Sequence, residues 1–190
     1  LDAGVDYIGV GDVTLYDQTL DWAIRFGLVP PRFRTLTGLD RYFAMARGAP
    51  DVPALEMTKW FDTNYHYLVP QIEELAALEP DFADFLALVK RAQDKLGERA
   101  VPIILGPLTL LQLSRLHVPI TVALDKLLPL YIQLLADLKA MEVPEVQLHE
   151  PVLVTASALE LEPLAQKAYA ALAEAGIPLN LVTYFDDIDA

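Results

Sequence analysis

Short apolar runs alternate with longer amphipathic stretches along the whole chain. The runs are Tyr7–Val10, the segment opening at Leu55, Val101–Pro107, Val146–Pro151 and Leu179–Phe185. Each is bounded by glycine, proline or polar residues and reads as a β-strand. Between them the apolar positions recur with the period of a helix. Asp17–Phe26 places Leu20, Ala23 and Ile24 on one side and stops at Gly27; Leu39–Arg47 is closed by Gly48. Pro80–Gly97 carries a stripe of Phe82, Phe85, Leu86, Val89 and Leu96, and Glu73–Leu78 reads as a helical turn. Leu108–Leu116, Thr121–Met141 and Pro163–Glu174 complete the helices, with Pro129 expected to bend or interrupt the longest and Gly176 to cap the last. Pro30–Arg34 is a basic, extended connector.

Five strands alternating with helices predict an α/β fold built on a parallel sheet, either doubly wound or part of a (βα)8 barrel. No glycine-rich dinucleotide fingerprint follows any strand, which counts against the first. Five strands are too few to close an eight-stranded barrel. The sequence opens without methionine, on what reads as a helix end, and stops just after a strand. The expectation is therefore an incomplete (βα)8 TIM-type barrel, one domain over residues 1–190, cut from a longer protein.

Composition narrows the function. Apolar residues make up 54% of 190 positions, enough for a real core. No apolar run approaches the ~20 residues that cross a bilayer, so no membrane partner is expected. A net charge of −13 excludes nucleic acid as a natural partner. The absence of cysteine rules out disulfides and thiolate metal ligands within the chain and fits a cytoplasmic protein.

Candidate chemistry gathers at strand ends, where α/β proteins hold ligands. Residues 55–70 begin as an apolar run and then pack Lys59, Trp60, Asp62, Asn64 and His66 among aromatic rings. Lys59 either pairs with an anionic ligand group, the indole of Trp60 covering its stem, or snorkels at a sheet rim. His66 has no partner at ligand spacing and reads as a hydrogen-bonded structural residue. Glu150 follows His149 at a strand end, and either works as an acid or base or bridges neighbouring strand ends. Asp12 and Asp17 form a split carboxylate pair, in which Asp17 suits a helix N-terminus better than catalysis. Thr183 and Tyr184 face the same mouth in this arrangement, with nothing to set them apart. No Ser-His-Asp, HExxH or phosphate-loop pattern occurs.

Several of these stretches, taken together and in order, resemble the cobalamin-independent methionine synthases. They are Val10-Gly11-Asp12 with Leu15-Tyr16-Asp17, Tyr42–Gly48, Glu56–Tyr67 (EMTKWFDTNYHY), Leu105–Thr109, Leu128–Tyr131, Val146-Gln147 with Glu150-Pro151, and Thr183-Tyr184-Phe185. The resemblance implies the N-terminal barrel of a two-barrel zinc enzyme, this chain supplying its second to sixth strands. Such an enzyme moves a methyl group from 5-methyltetrahydropteroyltri-glutamate to homocysteine. It implies that zinc and homocysteine belong to a C-terminal barrel packed against this one, that no cofactor sits in this chain, and that Lys59 holds a carboxylate of the folate tail. Trp60, Asp12 and Glu150 are accessory candidates, and no catalytic residue is expected. A further basic tail-binding segment would lie before Leu1. Two positions depart from the family pattern: His149 stands where aspartate is usual and Gln18 where histidine is usual. A non-catalytic single-barrel relative that binds folate or another anion is the alternative, and an unrelated barrel lyase or hydrolase using Glu150 a third.

Overall fold

The computed structural model describes residues 4–75 and 78–188. In chain order the elements are β1 (Ile8–Val10), α1 (Gln18–Arg25), α2 (Gly38–Arg47), β2 (Met57–Lys59), β3 (His66–Leu68), β4 (Gln71–Ile72) and α3 (Ala83–Leu96). Then follow β5 (Ala100–Leu105), α4 (Pro107–Gln112), β6 (Arg115–Leu116), α5 (Ile120–Ala140), β7 (Val146–His149), α6 (Ala158–Ala173) and β8 (Leu179–Val182). Short 3-10 turns lie at Pro31–Phe33, Gly97–Arg99 and Pro151–Val154.

The fold is mixed α/β around a four-stranded parallel sheet in the order β1-β5-β7-β8. All six residues of β5 are buried, as its unbroken apolar run requires for a strand covered on both faces. Pro102 is tolerated inside it because the β1 ladder ends there and the β7 ladder begins at Ile103. The main core joins this sheet to the buried faces of α1, α3, α4, α5 and α6; a second cluster, with Leu20, Phe33, Met45, Leu55 and Leu68, lies beneath α2 and the β3 strand.

The sequence expectation of five parallel strands needs one correction. The segment opening at Leu55 is not a strand of the sheet. It forms an antiparallel hairpin, Met57 opposite Leu68 and Lys59 opposite His66. Met57, Thr58 and Lys59 are all exposed, and a strand with no buried position cannot sit inside a doubly covered sheet. Phe61, at a φ of 51°, helps turn the chain back within the Trp60–Tyr65 loop.

Other boundaries moved for local reasons. α5 runs through Pro129 without a break, since that residue is exposed while Leu127, Leu128, Tyr131 and Leu134 stay buried on one face. α6 begins at Ala158, ahead of Pro163. α4 stops at Gln112, and Arg115-Leu116 pairs instead with β4. Of the helical turn expected at Glu73–Leu78, residues 73–75 and 78 are irregular, and Ala76 and Ala77 lie outside the described residues.

Candidate functional site

Because β1, β5, β7 and β8 run parallel, their C-terminal ends open on one side. There the loop after β1, the start of α1, the hairpin loop and the segment after β8 border an open cavity of about 460 Å³. Asp12 and Thr14 come from the first loop, Gln18 from α1, and Trp60, Thr63 and Tyr65 from the hairpin. His149 ends β7, and Tyr184 and Phe185 follow β8. Gly11 makes the first turn possible: its φ is 103°, and a Cβ there would lie 2.6 Å from the Phe85 ring.

Asp17 anchors the hairpin to this wall. It is buried, caps α1 by accepting the Leu20 amide at 2.9 Å, and accepts the Leu68 amide of β3 at 3.0 Å with its other oxygen. Burial outweighs these bonds and pushes its pKa up to about 6. The capping role read from the sequence is the one observed. Asp12, its supposed partner, is exposed at the cavity.

Trp60 is 4% exposed, and Phe61, Tyr65 and Tyr67 meet it edge-on at centroid distances of 5.2, 6.3 and 5.8 Å. Its amide donates to the Tyr65 carbonyl at 2.7 Å, and its carbonyl accepts from the Thr63 hydroxyl at 2.7 Å. The indole is a wall of the cavity and a keystone of the loop. Cation–π pairs among the described residues involve arginines, and the Lys59 ammonium does not lie over this ring. Lys59 itself is exposed at the end of β2, outside the cavity lining, and enters no ion pair among the described residues. His66, across from it, is exposed and its Nδ1 lies 3.0 Å from the Asn64 carbonyl oxygen.

His149 and Glu150 separate onto opposite faces. His149 looks into the cavity, edge-on to Tyr184 at 5.4 Å. Burial lowers its pKa, and the nearby Asp12 carboxylate opposes the shift. Glu150 is fully buried and does not line the cavity. Its carboxylate accepts the Leu108 amide at 3.0 Å, the Thr109 amide at 2.7 Å, the Thr109 hydroxyl at 2.5 Å and the Tyr169 hydroxyl at 2.9 Å. It thus ties the end of β7 to α4 and α6. Burial raises its pKa against the pull of those four donors. Gly106 is the floor of this arrangement, since a Cβ there would stand 2.2 Å from the Glu150 carboxyl carbon.

Four cavity residues, Thr14, Thr63, Tyr65 and Phe185, carried no role in the sequence reading. Their signal was weak: each is one ring or hydroxyl among many in a polar, aromatic loop. Among the described residues no group of three His, Cys, Asp or Glu can hold a metal ion, and no helix is long and apolar enough to cross a membrane.

Comparison with known proteins decides the family. A family model described as "Cobalamin-independent synthase, N-terminal domain" matches residues 1–190. The chain belongs to the cobalamin-independent synthase family. It is 59% identical over 188 residues to a 5-methyltetrahydropteroyltriglutamate–homocysteine methyltransferase of Synechococcus sp. (strain JA-2-3B'a(2-13)), covering 99% of this chain and 25% of that protein. A protein of the same name from Thermosynechococcus vestitus is 57% identical over 191 residues, and one from Bacillus velezensis 40% over 195 residues; these alignments cover 100% of this chain and 25% and 26% of those proteins. The chain spans about a quarter of the length of the curated relatives it matches. Within this N-terminal synthase unit, the two departures noted in the sequence, Gln18 and His149, share one cavity.

Proposed function

We propose that this chain is most of the N-terminal (βα)8 barrel of a two-barrel methionine synthase, and that its share of the reaction is to hold the glutamate tail of 5-methyltetrahydropteroyltri-glutamate. The observation that carries the reading is the match over the entire chain to relatives that are named for this methyl transfer and are about four times as long. That length favours the synthase over a single-barrel binding relative. The parallel sheet, open at β1 and β8, supports a barrel whose remaining strands lie elsewhere in the polypeptide.

Lys59 is the tail anchor in this reading. In a chain of net charge −13, this exposed ammonium, without an ion pair among the described residues, offers a place for a carboxylate. Trp60 fixes the loop that follows it, and Glu150 holds the β7 end in register beneath the cavity. Asp12 is a cavity wall. Val13 and Leu15, 89% and 66% exposed beside the cavity mouth, support a C-terminal barrel docked over this side. Zinc in that second barrel would supply an activated homocysteine thiolate. The residues of this chain do not fit such a site, and none of them is assigned a role in the methyl transfer itself.

In the full-length enzyme Lys59→Ala is expected to raise KM for the triglutamate substrate about tenfold and leave the monoglutamate unchanged. Equal losses for both substrates would remove the tail role. The intact mass of the native gene product tests the architecture: about four times the 21.1 kDa of this chain is expected, and one barrel's worth would favour the binding relative.

A further inference from the structure

We propose that Asp17 is a positioning residue for the folate tail: its carboxylate sets where Lys59 stands by fastening the outer edge of the hairpin to the start of α1. The inference rests on the tail-anchor reading of Lys59. The hairpin has two strands, so among the described residues β3 has a strand partner on one side only. The Val69 amide turns inward, to the Glu56 carbonyl at 2.8 Å. By the alternation of a strand the Leu68 amide turns outward, to the unpaired side. Asp17 meets it there at 3.0 Å, in a buried bond, and stands in for a third strand.

The choice of side chain follows from that second bond. One carboxylate oxygen caps α1 through the Leu20 amide at 2.9 Å, and the other takes Leu68. A serine would cap the helix as well and bring no charge into a position that is 1% exposed. An asparagine would also cap it, but its single oxygen cannot occupy both places, and its NH2 would face a second donor. Capping alone does not call for a buried carboxylate; holding two amides at once does.

The bond lies close to the lysine. Leu68 pairs with Met57, and two residues along the ladder, about 7 Å, Lys59 stands opposite His66. The hairpin is also held from the β6 side, by the Tyr67 hydroxyl on the Leu113 carbonyl at 3.1 Å and by the exposed Glu56–Arg115 ion pair. Release of Leu68 lets the strand pair turn about those contacts and moves the root of the Lys59 side chain. The flexible four-carbon stem absorbs part of such a shift, which keeps the effect below that of losing the ammonium.

The test is steady-state kinetics of the full-length enzyme carrying Asp17→Ser, which keeps the helix cap and gives up the Leu68 bond. KM for the triglutamate substrate is expected to rise about three- to fivefold, with kcat and the monoglutamate KM unchanged. Asp17→Asn, of the same shape as the native residue, should do the same. Placed on Lys59→Ala, Asp17→Ser should add nothing, because the group it positions is gone. A rise that persists on Lys59→Ala, equal rises for the two substrates, no rise in a folded variant, or loss of folding by both Asp17 variants would overturn the positioning role. Failure of the tail reading is seen separately, as equal losses for the two substrates in Lys59→Ala alone.

Discussion

Glu150 and Lys59 look alike in the sequence, each a charged residue closing a strand, yet the structure treats them in opposite ways. Glu150 is sunk beside the parallel sheet, with four donors around its carboxylate and Gly106 shaped to receive it. Lys59 ends a two-stranded hairpin and is exposed, with no ion pair among the described residues. A buried charge with every hydrogen bond made is a fastener, because moving it strands its partners. An exposed charge with none costs the fold little to keep and is available to a ligand. Position at a strand end does not tell the two apart; burial and the count of donors do.

The contrast can be broken by mutation, and the largest effect should fall on the fastener. Glu150→Ala leaves the Leu108 and Thr109 amides and two hydroxyls without their acceptor and is expected to cost roughly 3–5 kcal/mol in denaturant unfolding. Unchanged stability would place Glu150 in the same class as Lys59. Asp17→Ala strips a helix cap and the Leu68 bond together and should cost about 2 kcal/mol, read in the same way. The pH profile sharpens the point. Asp17 rises from 3.8 to about 6 on folding, so the folded state binds its proton more tightly and this group's contribution falls as pH climbs through that window. Stability should therefore gain from Asp17 on acidification from about pH 7 to pH 5, and Asp17→Asn should flatten that part of the curve. A slope unchanged in the variant would assign the effect elsewhere. Smallest of all, Lys59→Ala should shift unfolding by less than about 0.5 kcal/mol while altering tail binding. A larger loss would make Lys59 structural.

Much of this was legible in the residues. β5 declares itself because no polar residue interrupts it, and Asp17 and Gly27 bracket α1 as local capping chemistry dictates. The hairpin was not legible. The run at Leu55 has strand character, but local pattern does not say whether its partner is the parallel sheet or the next segment of the same chain. One signal was present and decides Glu150. Val146 and Leu148 are buried, so by the two-residue alternation of a strand Glu150 shares their face and His149 takes the other. The cavity lay beyond reach, since Asp12, Trp60, His149 and Phe185 meet only once four separate segments have packed.

The bond from Leu68 to Asp17 spans 51 residues of chain and is the buried link between the hairpin and α1. Its amide hydrogen can trade with solvent deuterium only when that link opens. A single backbone position thus works as a clock for the hairpin: it slows when a guest steadies the loop that carries Lys59 and Trp60, and it keeps its pace when a guest binds elsewhere.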